Sequence, residues 1–170
     1  MSDNGHQIEP ALKGLAVPIG SIHLDPANVR RHNERNLDSI KASLLAFGQQ
    51  KPVVVDQQGQ IIAGNGTWEA AKALGWTKIA AVRSELDGYS RTAYAIADNR
   101  TAELASWDDE GLAATLNELR NAKALEPTGF DTADLDRLLQ GLSIPETNQQ
   151  IDEEAMGQTE HECPSCGFKW

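Results

Sequence analysis

The segment "IIAGNGTWEAAKALGW", residues 61–76, holds the residue types best suited to binding a phosphate. An apolar run leads into Gly64-Asn65-Gly66-Thr67, and an alanine-rich helical pattern follows. Glycines permit positive φ and close backbone approach, while the first amides of a helix point outward with the positive end of its dipole. Asn65 and Thr67 add side-chain hydrogen-bond donors. The loop is therefore a candidate anion site.

The same loop has a second interpretation, a tight corner between a strand and a helix that Asn65 or Thr67 caps. It lacks the Gly-Lys-Ser/Thr ending of a Walker loop. Glu69 also stands where the dinucleotide-binding fingerprint has its third Gly or Ala. From the residues alone, both interpretations remain open.

A basic turn precedes this loop in the sequence. "NVRRHNER", residues 28–35, places Arg30, Arg31, His32 and Arg35 within six positions. One interpretation is contact with phosphates of a nucleotide or of DNA. The other is a solvated turn beside a helix N-terminus, where arginine is mildly unfavourable.

A later segment, "IADNRTAELASWD", carries acidic, basic and amide side chains on one predicted helix. Asp98 and Glu103 do not have the i,i+3 or i,i+4 spacing that places two carboxylates on one face. The segment therefore does not indicate a carboxylate pair for metal or acid–base work. Arg100 and Glu103 have the spacing of an ordinary i,i+3 ion pair.

Tryptophans are candidates for stacking on nucleic-acid bases. Trp68 directly follows the glycine loop, and Trp76 and Trp107 lie near helix ends. The alternative is that these rings pack in the core or between helices. Residue type and position alone favour packing.

The C-terminal "HECPSCGFKW" contains the only two cysteines, Cys163 and Cys166, in a Cys-Pro-x-Cys-Gly turn. Such a turn resembles a zinc knuckle, and His161 is a tentative third ligand. Structural zinc needs four ligands, so two chains would share the Zn²⁺, a partner would complete it, or the tail carries no metal. Two close cysteines do not form a disulfide framework.

Hydrophobic periodicity predicts an α+β fold, a small mixed sheet with helices, followed by a helical extension and a flexible acidic tail. Strands are expected at 15–24, on either side of the "QQG" turn at 57–59, and at 77–84. Helices are expected at 34–47, 67–74, 89–105, 108–122 and 131–142. The expected organisation is a flexible leader (1–14), an α+β domain (15–88), a helical extension (89–142), a disordered linker (143–160) and the CxxC tail (161–170).

The charge is distributed unevenly along the chain. Residues 1–100 carry 11 Lys and Arg against 10 Asp and Glu, whereas residues 101–170 carry 4 against 15. An acidic surface repels phosphate backbones, so any anion site is expected in the first 100 residues. No stretch approaches the roughly 20 apolar residues of a membrane span, and the N-terminus lacks a signal-peptide pattern, which predicts a cytoplasmic protein without membrane contact.

Five elements in order give the chain a family resemblance over residues 15–83. They are a first strand, an "Asn-x-Arg" turn (Asn28 and Arg30), a helix ending in Ser-x-x-x-x-Gly (Ser43 and Gly48), "QKPVVV" with "IIAG", and "AAKALG". This order resembles the N-terminal domain of ParB proteins in the ParB/sulfiredoxin superfamily. "ADNRTAELASWDDEG" and "TGFDTADLDRLL" extend the likeness to about residue 140, towards a ParB-like nuclease branch of phages and mobile elements, also found fused to DNA methyltransferases.

The resemblance implies a nucleotide pocket at the loop, with CTP or ATP and Mg²⁺ as ligands. It implies that Gly64, Asn65, Gly66, Thr67, Asn28, Arg30, Arg31 and His32 contact phosphate and that Asn99 or Arg100 closes the pocket. Asn65 replaces the sulfiredoxin cysteine, which excludes that reaction. Thr67 replaces an arginine of the ParB loop, which weakens the grip on a triphosphate.

Three functions follow as hypotheses. The first is a nucleotide- or DNA-binding module in DNA segregation, modification or packaging of a phage or mobile element. The second is a small nucleotide hydrolase, phosphotransferase or nuclease on the same fold. The third is an accessory scaffold that docks a DNA methyltransferase or another phage protein, with a homodimer as one possible assembly.

Overall fold

The computed structural model describes residues 8–143 and Pro164, and it contains a four-stranded mixed sheet with helices. The strands are β1 (Ala16–Pro18), β2 (Val53–Val55), β3 (Ile61–Ala63) and β4 (Lys78–Arg83). The helices are α1 (Glu34–Phe47), α2 (Asn65–Ala73), α3 (Gly88–Glu103), α4 (Asp109–Asn121) and α5 (Thr132–Ser143). The predicted α+β fold with a helical extension is therefore confirmed. The predicted acidic linker and the tail with His161, Cys163 and Cys166 lie outside the described residues.

The sheet has the strand order β1-β4-β2-β3. β4 pairs antiparallel with β1 and parallel with β2, while β2 and β3 form the antiparallel hairpin that the "QQG" turn predicts. Gly59 in this turn has φ 87°, and an added Cβ would lie 2.8 Å from the Ser21 carbonyl oxygen. The turn therefore requires glycine on conformational and steric grounds.

Gln49 completes the hydrogen bonding of β4 just before β2 begins. Its side chain donates to the Ala80 carbonyl over 2.8 Å and accepts from the Ala80 amide over 2.7 Å. It also donates to the Lys51 carbonyl over 3.0 Å, and only 1% of Gln49 is exposed. A side-chain amide thus replaces a missing backbone partner in the sheet interior.

The main core lies between the sheet and the helices α1 and α2. Trp68 and Trp76 are buried in it, and the Trp68 indole donates to the Ile19 carbonyl over 3.1 Å. These two rings therefore pack in the core rather than offering stacking faces. Trp107 is 69% exposed and makes an edge-on contact with Phe130, with ring centroids 6.2 Å apart.

Two N-terminal predictions differ from the structure. The residues predicted as a flexible leader are ordered from Ile8 onward, because Ile8 is buried in the core and pairs with Gln49 in an isolated bridge. A 3-10 helix follows at Pro10–Leu15. The strand predicted at 15–24 ends at Pro18, which cannot donate a ladder hydrogen bond, and a 3-10 helix begins at Ile19.

The extension has its own small core, formed by Leu116, Leu125 and Leu135 of the α4–α5 region. Arg35 on α1 pairs with Asp134 and, over 3.3 Å, with Asp131. The extension is therefore tied to the sheet domain through α1. Among the described helices, none is long and apolar enough to cross a membrane.

Candidate phosphate-binding site

The N-terminus of α2 is built without a side-chain cap. Gly64 occupies the cap position with φ 95°, and an added Cβ there would lie 2.8 Å from Val53 Cγ1. Asn33 and Asp108 cap α1 and α4 through side-chain oxygens, but within the described chain nothing accepts from the amides of residues 65–67. These amides, with the positive end of the helix dipole, suit an anionic ligand.

Asn65, the first residue of α2, is a buried polar group without a complete set of partners. The residue is 8% exposed, and its Oδ1 atom has no hydrogen-bond partner among the described residues. An unpaired buried amide oxygen costs stability, because its desolvation is not compensated. A buried acceptor without a donor among the described residues is a candidate for contact with a ligand or a bound water that offers an N–H or O–H group.

Asn65 borders a cleft that we call the α2–α3 cleft, with a volume of about 350 Å³. Three segments besides the start of α2 form its walls: the turn at 25–30, strand β3 and one side of α3. The lining residues are Asp25, Ala27, Asn28, Val29, Arg30, Ile61, Ile62, Asn65, Arg91, Thr92, Ala95, Ile96, Asn99, Arg100 and Glu103. The cleft combines an apolar floor with polar groups at its rim, as small-molecule sites usually do.

The α3 wall of the cleft consists of residues at helical spacing. One row repeats every four residues, and a second row lies beside it, so both rows share one face of the helix. The rows are Arg91, Ala95, Asn99 and Glu103, and Thr92, Ile96 and Arg100. From this face the sequence analysis selected Asn99 and Arg100 as candidates to close the pocket, although the four-residue repeat was available as a signal for the other residues.

Arg91 anchors α3 beside the cleft. Its guanidinium lies 2.9 Å from an Asp25 carboxylate oxygen and 3.4 Å from an Asp56 carboxylate oxygen. Asp25 also accepts from the Gln60 side-chain amide over 2.8 Å. The three ionised side chains are largely buried, so this pairing positions α3 over β3.

A second group of ion pairs, between two arginines and one glutamate, lies at the other end of the α3 face. Arg30 of the turn and Arg100 of α3 both pair with the Glu103 carboxylate, Arg100 over 3.4 Å. The hydrogen bond from Arg30, followed by that from Arg100, holds the pKa of Glu103 below its usual range. Two cationic groups therefore converge at the rim of the cleft.

The predicted site residues divide into two groups. Asn28, Arg30, Asn65 and Arg100 meet at the cleft, and the Asn28 side chain shapes the turn by accepting from the Arg30 amide over 3.0 Å. The other predicted residues, Gly64, Gly66, Thr67, Arg31 and His32, do not line the cleft.

Two of these other residues have structural roles. An added Cβ at Gly66 would lie 2.8 Å from both His32 Cε1 and Ile40 Cδ1, so Gly66 permits close packing of the turn and α1 on α2. His32 Nδ1 lies 2.7 Å from Asn36 Oδ1. Within residues 8–143, no three His, Cys, Asp or Glu side chains gather as a metal site.

These features define an α+β domain with an uncapped helix N-terminus at a cleft rimmed by arginines. The family model of the ParB N-terminal domain matches residues 6–100. The chain belongs to this ParB N-terminal domain family. The predicted resemblance is thereby confirmed.

Curated relatives agree with this assignment. The chain is 25% identical over 126 residues to a nucleoid occlusion protein of Geobacillus kaustophilus, covering 69% of this chain and 45% of the relative. It is 33% identical over 63 residues to the ParB-like nuclease domain-containing protein YnaK of Escherichia coli, covering 37% of this chain and 72% of the relative. The chain spans about half the length of the nucleoid occlusion proteins it matches.

A solved structure shares the fold. It is the C-terminally truncated chromosome-partitioning protein ParB from Caulobacter crescentus, complexed with CTP-gamma-S. The TM-score is 0.64 and the sequence identity 21%, with 77% of this chain and 79% of the other covered. At this identity the similarity establishes the fold.

Proposed function

We propose that this chain binds a nucleotide in the α2–α3 cleft, with the phosphates at the α2 N-terminus and at the arginines of the rim. The observation that carries the proposal is the uncapped N-terminus of α2 at the cleft, where no described residue accepts from the backbone amides of residues 65–67. Phosphate oxygens would accept from the backbone amide of Asn65, which lines the cleft, and Arg30 and Arg100 would supply charge-assisted hydrogen bonds. The Asn65 Oδ1, an acceptor, would accept from a hydroxyl or amino group of the nucleotide. The apolar part of the lining, which includes Ile61 of β3 and Ile96 of α3, suits a base or a sugar.

CTP with Mg²⁺ is the first ligand to test, and ATP is the second. The solved ParB of similar fold is a complex with CTP-gamma-S, which supports CTP without deciding the case for this chain. Thr67 leaves the loop without a cation of its own. Arg30 and Arg100 therefore provide the positive charge that a triphosphate needs.

We further propose that the chain acts on or near DNA, in segregation, modification or packaging. The names of the relatives, nucleoid occlusion protein and ParB-like nuclease domain-containing protein, support a DNA-related role. A phage or mobile-element setting, a DNA methyltransferase partner and a homodimer remain parts of this proposal. Nuclease or phosphotransferase activity is the second candidate function, and the name of the YnaK relative supports it.

Isothermal titration calorimetry of the chain with CTP, ATP or GTP, in the presence of Mg²⁺, tests nucleotide binding. Arg30→Gln removes a charge-assisted contact and is expected to weaken binding roughly tenfold or more. Arg31→Gln is the matched control, because Arg31 is the neighbouring arginine and does not line the cleft. We expect the control to change the dissociation constant by less than about threefold, as for an exposed charge.

Equal losses in the two variants would contradict a site at the cleft. Flat titrations of the wild-type chain up to millimolar nucleotide would contradict nucleotide binding altogether. Release of phosphate or nucleoside from a bound nucleotide, or cleavage of a DNA duplex in Mg²⁺, would favour the second candidate function. Duplex binding measured by fluorescence anisotropy, with and without CTP, tests the role at DNA.

A further inference from the structure

Glu103 places a carboxylate where the proposed ligand needs two arginines. Arg30 approaches it from the turn, 73 positions away in sequence, and Arg100 approaches it from the preceding turn of α3. All three side chains line the α2–α3 cleft. The two cationic groups of the rim are therefore paired with an anion of the chain itself.

We propose that Glu103 is a built-in competitor of the ligand and that its carboxylate occupies the place of a phosphate group until a phosphate displaces it. This inference rests on the proposed function. It assigns Glu103 the role of a specificity-determining residue, because displacement of the carboxylate sets how much negative charge a ligand needs to bind.

The position of Glu103 in its helix supports this role. Glu103 is the last residue of α3, where the helix dipole disfavours an acidic side chain. Helix stability therefore does not account for a glutamate at this position. Its contacts account for it better, because it pairs with Arg30 of the turn and with Arg100 of its own helix.

The exposure of these ion pairs makes it easier for a phosphate to displace the Glu103 carboxylate from the two arginines. The side chains of Arg30, Arg100 and Glu103 are 45%, 60% and 41% exposed. Ion pairs with this exposure are weak, since water screens the charges and the long side chains lose freedom. A phosphate chain carries more charge than one carboxylate and accepts paired hydrogen bonds from a guanidinium.

The competition predicts a dependence on ligand charge. A ligand that contacts both arginines has to displace both contacts of Glu103, and it repays this loss only with several phosphate charges. We expect the wild-type chain to bind tripolyphosphate and CTP much more tightly than pyrophosphate. When the Glu103 carboxylate is removed, the chain is expected to bind both pyrophosphate and tripolyphosphate more tightly.

The test compares Glu103→Gln with Asp98→Asn by calorimetric titration of pyrophosphate, tripolyphosphate and CTP. Asp98 is the matched control, since it carries the same charge on the same helix and does not line the cleft. We expect Glu103→Gln to tighten binding roughly three- to tenfold, as for the loss of two exposed ion pairs. Asp98→Asn is expected to change it less than about twofold.

The outcomes separate this inference from the proposed function. If the wild-type chain binds CTP and Glu103→Gln binds it equally or more weakly, the competitor role is wrong and nucleotide binding stands. Equal gains in the two variants would reduce the effect to net charge and would also overturn the role. If neither the wild-type chain nor Glu103→Gln binds any of the three ligands, both proposals fail.

Discussion

Arg91 on α3 and Asp25 in the turn before α1 form an ion pair of 2.9 Å that joins two walls of the α2–α3 cleft. The side chains are only 19% and 21% exposed. Asp56, at the end of β2, contacts the same guanidinium over 3.4 Å, and its other oxygen accepts from the Gln60 amide over 2.8 Å. A single arginine thus links the hairpin, the turn and α3.

We predict that Arg91→Leu lowers the free energy of unfolding by about 1–3 kcal/mol, because it leaves two largely buried carboxylates without their partner. Urea denaturation followed by circular dichroism measures this loss. Arg100→Leu on the same helix is the control. Its ion pair is exposed, so a change below about 1 kcal/mol is expected. Equal losses would show that Arg91 does not anchor α3.

The helices and turns that a short sequence pattern indicates were predicted well. Asn33 caps α1 as expected, accepting from the Asn36 amide over 2.8 Å, and Gly48 follows its last residue. The hairpin and the helix after the glycine loop also appear, although α2 begins at Asn65 rather than Thr67. Caps, glycines and periodicity act within a few residues of the chain, so a single sequence reveals them.

The long-range polar contacts were not predicted. Gln49 pairs with Ala80, 31 positions away, and Arg91 pairs with Asp25, 66 positions away. The residues next to them in the sequence form no pattern that predicts either pairing. For the site, the sequence analysis named Arg30, Asn65 and Arg100 but overlooked Glu103, which it read only as a local partner of Arg100.

The pH dependence of α5 docking is a further prediction. Hydrogen bonding from the Asp131 amide, followed by contacts of Arg137 and Arg35, holds the pKa of Asp134 below its usual range, against the opposing effect of burial. A carboxyl whose pKa is lower in the folded chain stabilises the fold above its unfolded pKa of about 3.9. This stabilisation is lost as pH falls through the lower folded value.

Asp134→Asn should therefore lower the midpoint of thermal unfolding at pH 7 and at pH 5. The difference from the wild-type chain should shrink as the pH falls below about 4, because the carboxyl becomes protonated first in the unfolded chain and then in the folded chain. Asp98→Asn is the control for removing one exposed carboxylate elsewhere in the chain. A difference that stays constant from pH 7 to pH 2 would show that the charge of Asp134 is not the cause.

Asn65 offers the sharpest separation of stability from function. Its buried Oδ1 lacks a partner among the described residues, so the amide is expected to cost stability in the free protein. Leucine has a similar branched shape without polar atoms. We predict that Asn65→Leu raises the free energy of unfolding by about 1 kcal/mol and weakens CTP binding roughly tenfold or more.

Asn99→Leu is the control for the stability effect, because the Asn99 side-chain amide donates to the Ala95 carbonyl over 2.9 Å and is already paired. It should not stabilise the fold. Urea denaturation and calorimetric titration of the same preparations measure both quantities. A clear loss of stability in Asn65→Leu would show that the amide is satisfied inside the protein. The case for a ligand at the start of α2 would then depend on the unpaired amides alone, since Asn65 would be a structural residue.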